Sequence, residues 1–204
     1  MKRLIEKNIN TKEEYARIFK ERSGGQFQWD DLRRWKCLFK KYRGGNFIDI
    51  GCLDSPLVNW ARFKDKDADI LGVDFVTDVV NKRRSKEKSI NFITGNVYNL
   101  PCVSSWFDYV ILGEVIEHLE YPQKAIDEAF RILRKGGILA LSTPLNEAIE
   151  PGAVDKDRHL WSFTKEDLEE MLVSYGKTEF KVLRSRRRPY KYSFPVIIAW
   201  VVKN

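Results

Sequence analysis

The sequence predicts an α/β domain in three layers, with a seven-stranded, mostly parallel sheet whose last strand is reversed. Apolar runs of strand length alternate with stretches in which apolar residues recur every three or four positions, as in β-strands that alternate with amphipathic helices. The chain of 204 residues has the length of one such domain with room for a small addition, and an apolar share of 43% supports a packed core. Residues 1–204 are therefore predicted to form a single domain.

The first 43 residues are predicted to form two helices ahead of the sheet. Thr11 followed by Glu14 is a capping-box pattern that begins the first helix, and apolar residues at helical spacing between Trp29 and Phe39 indicate the second. Residues 1–43 are thus expected to be a helical extension of a core formed by residues 44–204. Two interpretations stay open for the extension: it packs on the core, or it covers a substrate pocket as a lid.

The core is organised around a turn between its first predicted strand, Phe47 to Ile50, and a helix that begins at Pro56. Proline is well tolerated at the first position of a helix, because its missing N–H has no intrahelical partner there. Strand, glycine turn and helix form the first half of a nucleotide-binding βαβ unit, in which the helix N-terminus offers unpaired N–H groups to a ligand. The turn holds a single glycine, Gly51, so it lacks the G-x-G-x-x-G pattern of a pyrophosphate site.

The second predicted strand ends at Asp74, which lies 25 positions after Asp49. An acidic residue at the end of that strand can accept hydrogen bonds from both ribose hydroxyls of a bound nucleoside. The next predicted strands are Ile90–Thr94, Phe107–Leu112 and Ile138–Ser142.

The second half of the chain continues the same alternation. A helix is predicted to begin at Pro122 and to end at Gly136, and Thr164 is predicted to cap a later helix. Two β runs close the chain, at about Glu179–Arg187 and Tyr192–Val202, and predict an antiparallel hairpin.

Three stretches resemble the class I S-adenosylmethionine (SAM) methyltransferases, and among these the small single-domain enzymes near those of ubiquinone biosynthesis. They are D-I-G-C-L-D-S at 49–55, G-E-V-I-E-H-L at 113–119 and R-I-L-R-K-G-G-I-L-A-L-S-T-P at 131–144. The resemblance covers about residues 44–175 and implies a Rossmann-like fold. The chain departs from the family pattern at Leu53, which stands where the family has the second glycine of its first motif.

The resemblance implies SAM as the cofactor and S-adenosylhomocysteine (SAH) as its product. It places Asp74 on the ribose, Phe75 beside the adenine and Glu114 near the methionine part of the cofactor. Asn96, through its side chain, and Val97, through its backbone, would recognise the adenine. The full predicted cofactor set is Asp49, Gly51, Cys52, Asp74, Phe75, Asn96, Val97, Gly113 and Glu114.

Two histidines are the candidate catalytic residues. Methyl transfer from a sulfonium is an in-line displacement, in which the protein aligns the reactants and, for an oxygen or nitrogen nucleophile, takes up a proton. His118 follows the fourth core strand and His159 follows a polar loop at 145–158, both near the carboxyl ends of strands, where ligands bind in open α/β sheets. His159 is the expected proton acceptor, whereas His118 either acts in catalysis or caps its own turn.

The expected function is methyl transfer from SAM to a hydroxyl or amine of a small-molecule acceptor, with no metal. One alternative rests on a second resemblance. The set Glu114, Glu117, His118 and His159 matches a pattern in the small-RNA 3′-end 2′-O-methyltransferases, which hold a divalent metal, and a net charge of +7 permits an RNA partner. The other alternative, a protein that binds SAM without catalysis, follows from Leu53.

Composition bounds the location. Cys37, Cys52 and Cys102 have neither paired nor metal-type spacing, which suits a reducing cytosol. The N-terminus shows no signal-peptide pattern, and the most apolar stretch is too short to span a bilayer. The protein is therefore expected in the cytoplasm, without a membrane span.

Overall fold

A computed structural model describes residues 1–5, 8, 10–21, 29–146, 158–184 and 195–204. The helices are α1 (Lys12–Glu21), α2 (Trp29–Phe39), α3 (Leu57–Lys64), α4 (Thr77–Lys86), α5 (Pro122–Ile132) and α6 (Lys165–Leu172). The strands are β1 (Lys2–Arg3), β2 (Phe47–Ile50), β3 (Ile70–Asp74), β4 (Asn91–Thr94), β5 (Phe107–Gly113), β6 (Leu133–Pro144), β7 (Trp161–Ser162), β8 (Gly176–Leu183) and β9 (Val196–Lys203). A 3-10 turn spans Ile116–His118.

The main sheet has seven strands in the order β4-β3-β2-β5-β6-β9-β8. Strands β2 to β6 pair in parallel, and β9 is antiparallel to both β6 and β8. This confirms the predicted fold class, with the reversed strand last in the chain. The chain leaves β2 toward β4 on one side and returns at β5 on the other, so β2 and β5 flank the switch point at which open α/β sheets bind ligands.

The central strands are buried on both faces, as their continuous apolar runs predict. In β2 and β5, Ile48 and Val110 are register partners and belong to one core cluster. Their neighbours Phe47 and Tyr109 also pair, and their rings stack at 5.9 Å in the cluster on the opposite face. Alternate side chains therefore anchor both helical layers to the strands whose ends carry the predicted site.

The predicted helix starts at Thr11, Pro122 and Thr164 match the structure, whereas α3 begins at Leu57, one residue after the predicted start at Pro56. The Glu14 N–H donates to Thr11 Oγ1 (3.2 Å), and Thr164 and Asp167 form a complete capping box at α6. The predicted end of α5 is wrong: the helix stops at Ile132, and Gly136, with φ +72°, lies inside the strand β6 that follows. The first residue of β6, Leu133, pairs with Phe107 of β5, so sheet pairing decides the boundary in place of a glycine cap.

The C-terminal hairpin is antiparallel as predicted, with shifted bounds, since β8 starts at Gly176 and β9 ends at Lys203. The predicted turn at 188–191 and positions 147–157 of the predicted loop lie outside the described residues. No described helix is long and apolar enough to cross a membrane.

A second, two-stranded sheet was not predicted. Lys2 and Arg3 pair antiparallel with Ser162 and Trp161. The Arg3 guanidinium donates to both carboxylate oxygens of Glu120, at 2.7 and 3.0 Å. The N-terminus is thereby fixed beside the segment that carries His159.

Candidate functional site

The turn after β2 has a backbone that requires glycine at its first position. Gly51 has φ +75°, and a Cβ there would lie 2.6 Å from Val115 Cγ2. The N–H groups of Gly51 and Cys52 both donate to the carbonyl of Val73, at 2.8 and 3.0 Å. Leu53 also adopts a positive φ, +35°, which costs an L-residue about 1–2 kcal/mol. The backbone at Leu53 therefore keeps the positive φ of a glycine, although the residue there is a leucine.

Two buried carboxylates hold this turn. Asp49 is 3% exposed and accepts a hydrogen bond from the Ser55 hydroxyl. Burial raises the pKa of Asp49 to about 7, even though the Ser55 hydrogen bond and the charge of Arg83 oppose the rise. Asp74 accepts from the N–H of Leu53 (3.0 Å) on one oxygen and from Val76 (2.9 Å) on the other. Each oxygen of Asp74 keeps a second lone pair that a ribose hydroxyl can use.

The residues predicted for the adenine lie at the ends of neighbouring strands. Phe75 directly follows Asp74, is 38% exposed, and has the ring of Tyr15 edge-on at 5.2 Å. The Gly95 N–H donates to the Asp74 carbonyl (3.0 Å), so the turn after β4 lies beside Asp74. In that turn the Asn96 side-chain oxygen accepts from Tyr98 N–H (3.0 Å), and Val97 packs against the core. The Asn96 oxygen thus already holds its own turn.

The end of β5 places Gly113 and Glu114 at the switch point. Glu114 has φ +56°, and its carboxylate accepts from the Ser142 hydroxyl at 2.8 Å. The other oxygen of Glu114 lies 3.6 Å from Nη1 of Arg34, which belongs to α2. A Cβ on Gly113 would come within 3.0 Å of Leu38 Cδ1, also in α2. The second helix of the extension therefore packs directly against the predicted methionine side of the site.

The two histidines, distant in sequence, are neighbours in space. The ring centroids of His118 and His159 are 4.8 Å apart, and the N–H of Leu160 donates to the carbonyl of Glu117 (2.7 Å), which joins the two segments. His118 Nδ1 lies 3.2 Å from the Arg158 carbonyl, an acceptor only, so that nitrogen carries a proton.

Glu117 lies close to both histidine side chains. Its side chain is fully buried, and one ligand atom each of Glu117, His118 and His159 lie within 4.8 Å of one another. Glu117 Oε2 accepts from the Thr143 hydroxyl (3.1 Å), whereas Oε1 has no hydrogen-bond partner among the described residues. Burial, together with the nearby Glu114 charge, raises the pKa of Glu117, and His159 opposes the rise.

Helix α1 and the residues before it cover these histidines. The Asn10 amide donates to the carbonyl oxygens of His118 (2.9 Å) and Arg158 (3.0 Å), and Glu14 forms an ion pair with Arg158. Tyr15 has its ring 5.9 Å from that of His118 and, as above, contacts Phe75. One helix thus touches both the predicted adenine side and the predicted catalytic side.

Comparison with known proteins decides the family. A family model described as a methyltransferase domain matches residues 48–141, from β2 into β6. Residues 48–141 of the chain form a methyltransferase domain. The predicted family and its cofactor, SAM, are thereby confirmed.

Relatives agree with this assignment. The chain is 22% identical over 143 residues to a malonyl-[acyl-carrier protein] O-methyltransferase of Enterobacter lignolyticus, covering 68% of this chain and 56% of that protein. It is 32% identical over 81 residues to a mitochondrial 2-methoxy-6-polyprenyl-1,4-benzoquinol methylase of Caenorhabditis elegans, covering 36% and 28% respectively. The chain therefore spans less than two thirds of the length of these curated relatives.

A solved structure extends the likeness over almost the whole fold. The 1,6-didemethyltoxoflavin-N1-methyltransferase of Burkholderia thailandensis, solved with its acceptor and SAH bound, has a TM-score of 0.67 at 16% identity. The match covers 98% of this chain and 93% of that one. At this identity the match supports the fold alone.

The residues of the predicted site fit SAM. Asp74, whose oxygens accept from Leu53 and Val76, ends β3, and the partly exposed Phe75 follows it, beside a turn after β2 that keeps its positive φ angles in spite of Leu53. Sequence motifs missed three residues at this edge: Tyr15, Arg34 and Arg158. They come from the helical extension and from the end of a loop, where only their fold-dependent contacts give them a place in the site.

Proposed function

We propose that this methyltransferase domain transfers a methyl group from SAM to an oxygen or nitrogen of a small-molecule acceptor, with His159 as the group that takes the acceptor's proton. The observation that carries the proposal is the buried cluster of Glu117, His118 and His159 at the carboxyl edge of the sheet. When bound, SAM supplies a methyl group already activated by its sulfonium. The protein then has to align the nucleophile and accept its proton.

His159 is suited to this role by what surrounds it. An imidazole that gains a proton becomes a cation, and its charge favours ionisation of the fully buried Glu117, whose pKa burial otherwise raises and whose side chain lies within 4.8 Å. Attraction between the two charges is strong in a medium of low polarity. Thr143 donates to the other oxygen of Glu117 and fixes its orientation. Glu117 is thus proposed to stabilise the protonated His159 without touching the acceptor.

The cofactor set predicted from the sequence is retained in the proposal. Asp74 would accept the ribose hydroxyls, Phe75 would lie against the adenine, and Gly51 and Cys52 would form the turn beneath the cofactor. Asn96, Val97, Gly113, Glu114 and Asp49 complete the proposed set. The Asn96 oxygen, which holds its turn, would contribute less to adenine recognition than the Val97 backbone.

Residues 1–43 are proposed to act as a lid on the core formed by residues 44–204. The contacts of Tyr15 with Phe75 and His118 support this role, because one ring of the extension lies against both sides of the proposed site. A small, flat acceptor suits a site bounded by aromatic rings. Relatives include a benzoquinol methylase and a didemethyltoxoflavin methyltransferase, which supports the same class of acceptor.

The cytoplasm is the proposed location, as the cysteine pattern predicts.

Two measurements test the function. Titration calorimetry with SAM and SAH should give a saturable heat, and labelled SAM should transfer its methyl group to one member of a panel of phenols, hydroxy acids, amines and RNA. A folded sample that gives no heat with either ligand would refute the proposal at its first step. Binding without transfer to any member would favour the alternative of a SAM-binding protein without catalysis.

The metal-dependent RNA alternative has one observation in its favour, the convergence of Glu117, His118 and His159 with an unpartnered carboxylate oxygen. The fourth member of that set, Glu114, is engaged by Ser142 and lies beside Arg34. Chelation distinguishes the two functions. Transfer that persists in EDTA supports the main proposal, whereas loss with EDTA and recovery with Mg²⁺ or Mn²⁺, on an RNA acceptor, would replace it.

A further inference from the structure

Arg83, a residue of α4 that belongs to none of the sequence motifs, holds the turn after β2 from behind. Its Nη1 donates to the carbonyl oxygens of Leu53 (2.9 Å) and Ser55 (3.1 Å). A single guanidinium nitrogen therefore links two carbonyls of the same turn. Arg83 is only 7% exposed, and arginine is rarely buried to that extent unless it is paired.

The guanidinium is itself fixed in place. Glu87, the residue that caps the C-terminal end of α4, forms an ion pair with Nε at 2.5 Å and accepts from Nη2 at 3.0 Å. Asn59 in α3 accepts from the same Nη2 at 3.3 Å. The guanidinium carbon lies 4.7 Å from the centroid of the Phe92 ring, which restricts the plane of the group. Arg83 is a rigid support because its partners lie in three different parts of the fold: Asn59 in α3, Glu87 at the end of α4 and Phe92 in β4.

The turn needs such a support for two reasons. Leu53 has a positive φ that an L-residue adopts at a cost, and its side chain is 41% exposed, so packing does little to hold it. In addition, a cleft of about 270 Å³ lies behind the turn, with Leu53, Ser55 and Arg83 among its lining residues. On the side of this cleft, the turn is held by the hydrogen bonds of Arg83 to the Leu53 and Ser55 carbonyls.

We propose that Arg83 is a positioning residue for the cofactor, which holds the turn 51–55 in the conformation that binds SAM. A glycine at position 53 would adopt this conformation without strain, whereas Leu53 needs the hydrogen bonds of Arg83 to keep it. Because a peptide group is planar and trans, a Leu53 carbonyl held by Arg83 directs the N–H of Asp54 to the opposite side of the turn. Asp74 meanwhile holds the N–H of Leu53 (3.0 Å). The inference rests on the proposed function, since it assumes that this turn binds SAM.

The first test is a set of SAH titrations on the full chain. Arg83→Gln should weaken SAH binding by about tenfold, as expected for loss of hydrogen bonds from a charged donor. Arg84→Gln is the matched control, because Arg84 lies on the same helix but donates to the Phe92 carbonyl (2.7 Å) in place of the turn. It should bind SAH within about twofold of the wild type.

The double variant gives the sharper result. Leu53→Gly alone should change SAH affinity little, whereas in the Arg83→Gln background it should recover most of the loss, because glycine adopts positive φ without strain. A merely structural role of Arg83 predicts no such recovery. Unchanged affinity in Arg83→Gln, an equal loss in Arg84→Gln, or no recovery in the double variant would each overturn the inference.

Hydrogen exchange of the unliganded protein separates this inference from the proposed function. The Leu53 amide should exchange faster in Arg83→Gln than in the wild type and Arg84→Gln, because its hydrogen bond to Asp74 depends on the fixed turn. If the wild type binds no SAH, the proposed function fails, and with it the cofactor role of Arg83. Wild-type binding combined with unaltered exchange in Arg83→Gln would overturn only the role of Arg83.

Discussion

Replacing Asp49 with asparagine should make the stability of the protein less sensitive to pH between about 5 and 8. Asp49 is 3% exposed, and its burial raises its pKa from 3.8 to about 7. Asparagine has nearly the same shape and can still accept the Ser55 hydroxyl, so the substitution removes the titration while keeping the packing. Since the raised pKa means that the folded state holds a proton which the unfolded chain releases, the wild type loses stability as pH rises from about 4 to about 7.

The size of the effect follows from that window. One pKa unit corresponds to about 1.4 kcal/mol, so two units between about pH 5 and pH 7 give an upper limit of about 2.7 kcal/mol. Other buried acids such as Glu117 have the same sign, but they are present in both proteins and cancel in the difference. Asp49→Asn should therefore gain up to about 2.7 kcal/mol relative to the wild type on going from about pH 5 to pH 8.

Urea unfolding, followed by tryptophan fluorescence at several pH values, measures this difference. The six tryptophans give a strong signal, and the urea dependence of the free energy of unfolding should be the same in both proteins. Equal pH profiles for the wild type and Asp49→Asn would refute the reasoning. They would mean that the Ser55 hydrogen bond and the Arg83 charge outweigh burial, so that Asp49 is ionised throughout this range.

Three further predictions concern ligand binding and turnover. Asp74→Ala should weaken SAH binding by about 1.5–3 kcal/mol in titration calorimetry, while Asp78→Ala, on the helix that follows, should not; an unchanged affinity would remove Asp74 from the site. His159→Ala should lower turnover by about 10²-fold or more at nearly constant SAH affinity. His118→Ala should affect folding or cofactor binding more than turnover. Normal turnover in His159→Ala would show that the base lies elsewhere. Tyr15→Ala should raise the KM for the acceptor more than it lowers kcat, whereas Tyr15→Phe should keep the wild-type KM. An equal KM in the wild type and both variants would argue against a lid.

Much of the fold could be predicted because its signals are local. The buried run at Phe47–Ile50, the caps at Thr11 and Thr164, and the acidic strand end at Asp74 each depend on a few consecutive residues. The end of α5 could not be predicted in this way, because pairing of β6 with β5 begins at Leu133 and overrides the glycines that would otherwise cap the helix.

The candidate site shows the same division. Its motif residues lie at the strand ends and turns that the sequence predicts, but their partners come from elements far away in the chain. Arg83 lies 30 positions from Leu53, and its role depends on a positive φ that leucine does not indicate in a sequence. Likewise, only the fold brings Glu117 close to His159, through the hydrogen bond from Leu160.

These long-range contacts connect the helical extension to the histidines. Asn10 donates to the carbonyl oxygens of both His118 and Arg158, and Glu14 pairs with the Arg158 side chain. Arg158 directly precedes His159 and has a positive φ, +61°, so the backbone at this point has little freedom to adapt. A movement of α1 that admits an acceptor therefore breaks contacts to both histidine segments at once. Closure of the proposed lid would for this reason also restore the contacts that hold the backbone of the proposed base in place.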